Sequence, residues 1–361
     1  MDYKTAAMEM VDHIPHPAFC VKEGIIVKAN AAAQNRFFRS GMAISDLLET
    51  GSEEYADFHQ GTLYLTLSHC GQSLGTCVTK ESGFDLFQLE QESDSAELRA
   101  MALVAQQLRE PLASIMVTAD RLFPVSGMTD DPAVSQQVAR INRGLYQMLR
   151  VISNMSDASQ YATATAARQE IRDIAALVNE VFAKAAETVS HGGVNLRYKG
   201  CPEAVYSLAD AEKLERAILN ILSNALKFAP KGSTIEAALV KRKQKLYLTV
   251  QNTGSGIAQQ VRSSMFTRYT REPGLEDGRF GIGLGMVLVR TTAALHGGSV
   301  LVDEPQENLT RITMTLSIRT RNSTQVHSPR FSIDYAGERD HCLLEFSESL
   351  PSELYTPDNL H

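Results

Sequence analysis

The residues with the clearest chemical potential lie in three short segments of the second half of the chain. In the first segment, Asn220, Asn224 and Lys227 share one face of a predicted helix, because their spacing matches the helical repeat. An amide oxygen is a hard ligand for a hydrated Mg²⁺, and a neighbouring lysine adds a positive charge for phosphate groups. This face is therefore predicted to bind a magnesium ion and phosphates, with Asn224 as the metal ligand.

The other two segments are rich in glycine. Residues 252–256 (Asn-Thr-Gly-Ser-Gly) follow a predicted strand directly, and residues 281–285 (Gly-Ile-Gly-Leu-Gly) open a predicted helix. Glycines let the backbone approach a flat ligand closely, and Asn252 can contact the edge of that ligand. The free N–H groups at the start of a helix suit a phosphate chain. Each segment alone is a weak signal, whereas their order along the chain is far more specific.

Composition and charge narrow the class of protein. A chain of 361 residues predicts roughly two to three domains. Its hydrophobic fraction of 43% and charged fraction of 21% are typical of a globular protein with a buried core. The net charge of −7 argues against a nucleic-acid-binding surface. We expect a cytoplasmic location, because the sequence shows neither an apolar run of membrane-spanning length nor a signal-peptide pattern.

The cysteines give no sign of a metal or disulfide framework. The five cysteines are scattered and form no CxxC pair, which favours a reducing compartment over a zinc site or a network of disulfides.

Residues 8–90 are predicted to form a small sensor domain. Short apolar runs separated by glycine turns predict strands at 18–21, 25–28, 62–67, 74–78 and 84–89, with a helix at 29–37. Two strands, a helix and a three-stranded meander resemble, in their order, the PAS family of sensor domains.

Residues 91–165 are predicted to form a helical hairpin. Apolar residues recur at alternating steps of three and four along two helices, 92–122 and 133–160. Each helix exposes more apolar surface than its partner can cover, which favours the pairing of two hairpins into an antiparallel four-helix bundle, and hence a homodimer. The sequence leaves an alternative open, in which the hairpin packs on another domain of the same chain.

Residues 166–320 are predicted to form an α+β layer with helices on one face of a mixed sheet. Helices are predicted at 171–187, 210–228 and 283–295, and strands at 194–198, 234–241, 245–251, 300–303 and 311–318. Asp210 is placed to cap the second helix, and His296 is expected to end the third without any chemical role. The tail, 321–361, is predicted to contain one hairpin between residues 331–335 and 342–346.

The three chemical segments resemble the N, G1 and G2 boxes of the Bergerat-type (GHKL) ATP-binding domain of sensor histidine kinases. Residues 265–269 resemble the F box of that domain, and residues 108–112 (Leu-Arg-Glu-Pro-Leu) resemble the phosphoacceptor box of a HisKA-type dimerisation domain. The resemblance implies an α+β multidomain protein with ATP and Mg²⁺ as cofactors, and a response regulator or partner kinase as its target. It assigns ATP binding to Asn220, Asn224, Lys227, Asn252, Gly254, Gly256, Arg268, Arg271, Gly281, Gly283, Leu284 and Gly285.

The sequence departs from this family at the phosphoacceptor. Gln106 stands where the family has the accepting histidine, and Gln107 stands where it has an acidic base. A carboxamide neither accepts a phosphoryl group nor takes up a proton as a carboxylate does. No histidine lies between His69 and His191 that could substitute. The sequence therefore predicts no autophosphorylation at this position, and Glu110 in place of a small polar residue disfavours phosphatase activity.

A second departure concerns the base of the nucleotide. Asn252 replaces the family's aspartate, so its hydrogen bond to adenine loses charge assistance, which weakens affinity about five- to tenfold.

Three functions follow as hypotheses. The chain is a degenerate sensor kinase that binds ATP and regulates through binding; or it phosphorylates a histidine of a partner chain; or it is a scaffold that has lost nucleotide binding.

Overall fold

The computed structural model describes residues 10–81, 83–90, 94–123, 132–162, 169–256, 284–319, 336 and 339–360. The helices are α1 (Ala31–Asn35), α2 (Ser52–Ala56), α3 (Asp94–Leu122), α4 (Pro132–Ala162), α5 (Ile174–His191), α6 (Ala211–Phe228), α7 (Gly285–Leu295) and α8 (His341–Glu345). The strands are β1 (Ala18–Lys22), β2 (Ile25–Ala29), β3 (Thr62–His69), β4 (Gln72–Glu81), β5 (Phe84–Leu89), β6 (Glu170–Asp173), β7 (Asn195–Lys199), β8 (Tyr206–Ala209), β9 (Thr234–Arg242), β10 (Lys245–Thr253), β11 (Val300–Gln306) and β12 (Leu309–Ser317).

The N-terminal strands form an antiparallel sheet in the order β2-β1-β5-β4-β3. The turn between β1 and β2 has positive φ at both Glu23 (51°) and Gly24 (77°), the geometry that matches the twist of a tight hairpin. Phe19 stacks between Phe38 and Phe87, with ring centroids 5.0 and 5.1 Å apart. The predicted strands of this region are confirmed, while the helix is shorter than predicted.

The second half of the chain builds a sheet in the order β11-β12-β10-β9-β7. The buried sides of its strands share one hydrophobic cluster with α5, α6 and α7. The predicted helix start at residue 171 is wrong, because residues 170–173 form β6, which pairs with the unpredicted strand β8. Asp173 then begins α5 as its N-cap, where its carboxylate accepts a hydrogen bond from the Ala176 N–H at 3.2 Å.

The two sheets join edge to edge. Strand β11 pairs antiparallel with β3, so that Val300 faces Tyr64 and Val302 faces Thr62, and the described strands of both units form one continuous sheet of ten. Arg290 of α7 donates a hydrogen bond to the Tyr64 hydroxyl at 3.0 Å. The N-terminal unit therefore packs directly against the unit that carries the three chemical segments.

The long helices α3 and α4 pack against each other as a hairpin, as predicted. Their shared interior contains Ala105, Leu112, Met116, Ala119, Leu145 and Ile152. Part of the apolar seam is left exposed, namely Leu108, Ile115, Leu122, Ile141 and Met148. Helix α4 also packs on α7 and α8 of its own chain, which is the alternative that the sequence left open. Among the described helices, none combines the length and hydropathy of a membrane span.

The C-terminal segment differs from the prediction. Residues 342–346 were predicted to form a strand, but residues 341–345 form helix α8; residues 331–335, the predicted partner strand, lie outside the described part of the chain. Asp340 caps α8 by accepting a hydrogen bond from the Leu343 N–H at 2.7 Å, and Leu344 and Phe346 are fully buried. Helical geometry presents these apolar side chains to one packed surface, which a strand without a partner would not do.

The contact between the two units yields a stability prediction. Lys245 lies 2.7 Å from the Glu54 carboxylate, whose side chain is 7% exposed. The change Lys245→Gln should lower the free energy of unfolding by about 2 kcal/mol, because it leaves this carboxylate buried beside a neutral group. The measurement is urea unfolding followed by circular dichroism.

A neighbouring lysine provides the matched control. Lys243 pairs with Glu53 at 3.0 Å, but its side chain is 82% exposed, and such pairs add little stability in water. Lys243→Gln should therefore leave the unfolding midpoint nearly unchanged. Equal losses for the two variants would contradict a specific role of the Lys245–Glu54 pair.

Candidate nucleotide-binding site

Helix α6 positions the first chemical segment. Asp210 caps it by accepting a hydrogen bond from the Lys213 N–H at 3.2 Å, as predicted. One side of the helix is buried in the core through residues such as Leu214, Ile218 and Ile221. The amide of Asn220 is also buried, whereas Asn224 and Lys227 are partly exposed.

The Asn220 side chain points towards the start of α7. Its amide N–H₂ donates to the Arg216 carbonyl at 2.8 Å, while its Oδ1 atom is buried without a hydrogen-bond partner among the described residues. A Cβ on Gly285 would lie only 2.7 Å from this oxygen. Gly285 is therefore needed for the close approach of α7 to α6, and Asn220 presents an unused acceptor at the junction.

The N-terminus of α7 suits an anionic ligand. Leu284 is its N-cap residue and is buried, and it provides no side-chain hydrogen bond to the first turn. The first N–H groups of an uncapped helix attract negative charge through the helix dipole. This end of α7 lies beside Asn220, so the N-terminus of a helix and an amide oxygen that has no partner among the described residues meet in one place.

The G1-like segment closes another side of the site. Asn252 lies near the end of β10, where it pairs with Thr310 of β12. It is 5% exposed, and its amide donates to the Thr253 carbonyl at 3.1 Å. A Cβ on Gly254 would lie 2.6 Å from the Phe228 carbonyl, so this loop packs against the end of α6. Gly256 has φ of +69°, a conformation that glycine adopts without strain.

The described residues fit a nucleotide with its metal. Asn224 makes no side-chain hydrogen bond within the described part of the chain, and its partly exposed amide oxygen can reach a cation. The close glycine packing and the orphaned Asn220 oxygen fit the same ligand. No cluster of His, Cys, Asp and Glu suited to a metal occurs among the described residues. The remaining predicted contacts lie outside the described residues: Arg268, Arg271, Gly281, Gly283 and residues 265–269.

The predicted acceptor position lies on α3. Gln106 and Gln107 are both exposed, while the preceding Ala105 is fully buried in the hairpin. The side chain at position 106 is thus open to solvent and to an approaching group, and that side chain is a carboxamide.

A buried ion cluster beside the site was missed by sequence reasoning. Arg216 of α6 is 1% exposed, and it hydrogen-bonds Asn154 of α4 at 2.8 Å and forms an ion pair with Asp157. Arg150 of α4 pairs with Glu345 of α8 at 3.0 Å. The signal that could have revealed this cluster is an arginine one helical turn before Asn220, on the same face of α6.

His296 also has a larger role than predicted. It ends α7, and Gly297 follows in the left-handed conformation (φ +68°), which confirms the predicted glycine cap. The histidine is 1% exposed; its Nδ1–H donates to the Thr292 carbonyl at 2.7 Å, and its Nε2 accepts from the Asp210 N–H at 3.1 Å. A neutral imidazole therefore ties the end of α7 to the start of α6.

Comparison with known proteins agrees with this geometry. Residues 209–320 match the histidine kinase-, DNA gyrase B-, and HSP90-like ATPase family, so this part of the chain is an ATPase domain of that class. The chain is 27% identical over 226 residues to the sensor protein KdpD of Clostridium acetobutylicum, covering 60% of this chain and 25% of that protein. It is 28% identical over 215 residues to the sensor protein kinase PmrB of Pseudomonas aeruginosa, covering 57% and 42%. Over somewhat more than half of its length the chain is thus similar to sensor histidine kinases.

A solved structure shows the same fold. Full-length ShkA in complex with AMPPNP superposes with a TM-score of 0.50 at 20% identity, covering 62% of this chain and 47% of that one. At this identity the likeness concerns the fold. The chain spans only a quarter of the Clostridium relative and less than half of the Pseudomonas one.

The buried histidine gives a pH prediction. Burial lowers the pKa of His296 below its usual 6.5, so the folded state holds the imidazole neutral. The stabilisation is complete above pH 6.5 and is lost as the pH falls towards the lowered pKa, with a slope of at most about 1.4 kcal/mol per pH unit.

The variant His296→Gln cannot titrate at this position. We expect the free energy of unfolding of the wild type to fall more steeply than that of the variant between pH 7 and pH 5, measured by urea unfolding. If the free energies of unfolding of the two proteins change in parallel with pH, His296 is already charged in the folded state or does not contribute to the pH dependence of stability.

Proposed function

We propose that this chain is a regulatory pseudokinase, which binds ATP with Mg²⁺ but does not phosphorylate its own helix. The observation that carries the proposal is the exposed Gln106 at the acceptor position of α3. An exposed carboxamide is accessible yet inert towards phosphoryl transfer. Gln107 likewise cannot serve as the proton acceptor that the family places beside the histidine.

Nucleotide binding is supported by the arrangement around α6 and α7. Asn224 would hold Mg²⁺, Lys227 would contact phosphate oxygens, and the N-terminus of α7 would accept a phosphate. The similarly folded ShkA was crystallised with AMPPNP. When bound, Mg²⁺ would neutralise part of the phosphate charge. Asn252 would accept a hydrogen bond from adenine without charge assistance, at some cost in affinity.

The domain organisation follows the same proposal. Residues 8–90 form a PAS-like sensor domain, 91–165 a HisKA-like dimerisation hairpin, 166–320 the ATP-binding domain, and 321–361 a C-terminal tail. The exposed apolar seam of α3 and α4 supports a homodimer through an antiparallel four-helix bundle, because a stripe such as Leu108, Ile115 and Leu122 is costly to leave in water. A response regulator or partner kinase would receive the signal, in the cytoplasm.

Magnesium dependence tests the nucleotide site. Asn224→Ala should weaken ATP binding about tenfold when Mg²⁺ is present, because the variant lacks the amide ligand. With EDTA, the variant and the wild type should bind ATP equally weakly. Isothermal titration provides the measurement, and Asn195→Ala on the exposed face of edge strand β7 is the control. Undetectable binding by the wild type at millimolar ATP would instead favour a scaffold without nucleotide.

Restoring the acceptor tests the loss of self-phosphorylation. With γ-labelled ATP, we expect no acid-labile label on the wild type and measurable label on Gln106→His. The neighbouring variant Gln107→His is the matched control and should stay unlabelled, because its side chain projects from another side of α3. Label on the wild type would refute the pseudokinase. Label on an added partner kinase or regulator would favour the alternative, in which this chain phosphorylates a partner's histidine.

A further inference from the structure

The C-terminal segment, residues 339–360, is anchored beside the nucleotide-binding face. Phe346 and Tyr355 are fully buried, and the Tyr355 ring packs edge-on against Tyr146 of α4 at 5.4 Å. Asn142 of α4 donates to the Tyr355 carbonyl at 3.0 Å, and Arg143 donates to the Ser347 carbonyl at 2.9 Å. The segment is thus a fixed part of the fold and lies between α4 and α6.

Two carboxylates of this segment lie on the polar face of α6. Glu345, fully buried, lies 3.0 Å from Arg150 and within 3.5 Å of the Asn220 amide. Glu348, whose side chain is 26% exposed, lies 3.2 Å from the Lys227 ammonium and 3.3 Å from Arg150. Two residues that were assigned to ATP binding, Asn220 and Lys227, therefore donate to carboxylates of the same chain.

The backbone of the segment reinforces this contact. Ser223, one turn before Lys227 on α6, donates to the Glu345 carbonyl at 2.9 Å, and Arg150 donates to the Ser223 hydroxyl at 3.0 Å. The tail thus touches α6 from the level of Asn220 to that of Lys227. This is the length of helix along which the proposed site would contact phosphate oxygens.

The positive charge at the polar face of α6 explains why acidic side chains of the C-terminal segment lie there. Arg150, Arg216 and Lys227 bring positive charge to the polar face of α6, and Glu345 and Glu348 compensate much of it. A carboxylate and a phosphate are both oxyanions that accept hydrogen bonds from the same lysine and arginine donors. An anionic triphosphate would be drawn to this face by the same charges.

We propose that the C-terminal segment is an internal competitor of the nucleotide, in which Glu348 occupies the phosphate-binding position at Lys227 and is displaced when ATP binds. This inference rests on the proposed function of the site. Glu345 is fully buried and remains as the anchor, while the more exposed Glu348 is the part that exchanges. The apparent dissociation constant of ATP then equals its intrinsic value divided by the fraction of molecules with Glu348 displaced.

A charge-neutral variant tests the competition. Glu348→Gln keeps the size of the side chain but weakens its contacts with Lys227 and Arg150, so it should bind ATP·Mg²⁺ about five- to tenfold more tightly than the wild type. Glu353→Gln is the matched control, because it makes the same chemical change at an exposed position of the same segment and should bind like the wild type. Both are compared by isothermal titration of the full chain, after thermal melting confirms that they are folded.

The outcomes separate this inference from the proposed function. If the wild type and Glu348→Gln bind ATP equally, the competition is refuted while the nucleotide site stands. If neither binds at millimolar ATP, the site itself is refuted, and the inference fails with it. Binding by Glu348→Gln alone supports both.

Hydrogen–deuterium exchange gives a second measurement that does not rely on a variant. Saturating ATP·Mg²⁺ should raise the exchange rate of the backbone amides around Glu348, residues 346–350, in the wild type, because Glu348 loses its contact with Lys227 while Glu345 stays in place. Unchanged or slower exchange there, with ATP bound, would overturn the displacement of Glu348.

Discussion

The burial of Arg216 is the constraint on which the arrangement of the domains depends. A guanidinium that is 1% exposed needs partners for its charge and its donors. Two acidic partners come from other parts of the chain: Asp157 from α4, and Glu345 from the C-terminal segment. Three parts of the chain that are distant in sequence must therefore meet at one side of α6, beside Asn220. Removing Asp157 or Glu345 would take away part of the charge that compensates this buried guanidinium.

The continuous sheet links the N-terminal unit to helices α6 and α7. Strand β3 pairs with β11, and Tyr64 on β3 accepts a hydrogen bond from Arg290 in the middle of α7. Helix α7 begins beside the Asn220 oxygen and ends at His296, which accepts a hydrogen bond from the N–H of Asp210, the N-cap residue of α6. A displacement of β3 must consequently either break these contacts or move α7 against α6. Rigid elements in direct contact provide a physical route between the N-terminal unit and the candidate site at α6 and α7.

Sequence periodicity predicted the elements well, and the long-range contacts poorly. The N-cap at Asp210, the glycine cap after His296 and the two long helices follow from local rules of spacing and capping, and all are present. Strand β6 was missed because four residues carry no usable alternation. The tail was mistaken for a hairpin because Leu343, Leu344 and Phe346 fit either a strand or a short helix. Asn154, Asp157 and Glu345 lie more than 50 positions from Arg216, and no local pattern encodes such pairing.

The candidate site combines residues that allow close packing with polar residues that carry no charge. Glycines at 254 and 285 let the end of β10 and the start of α7 pack closely against α6, whereas Gln106 and Asn252, the residues that the proposed function places at the phosphoacceptor and at the adenine, are uncharged carboxamides. Among the described residues, the Asn220 oxygen has no partner, and a buried orphan acceptor costs about 1–3 kcal/mol. An acceptor left in this state beside the N-terminus of α7 is therefore the feature of the described structure that most favours a bound ligand at this position.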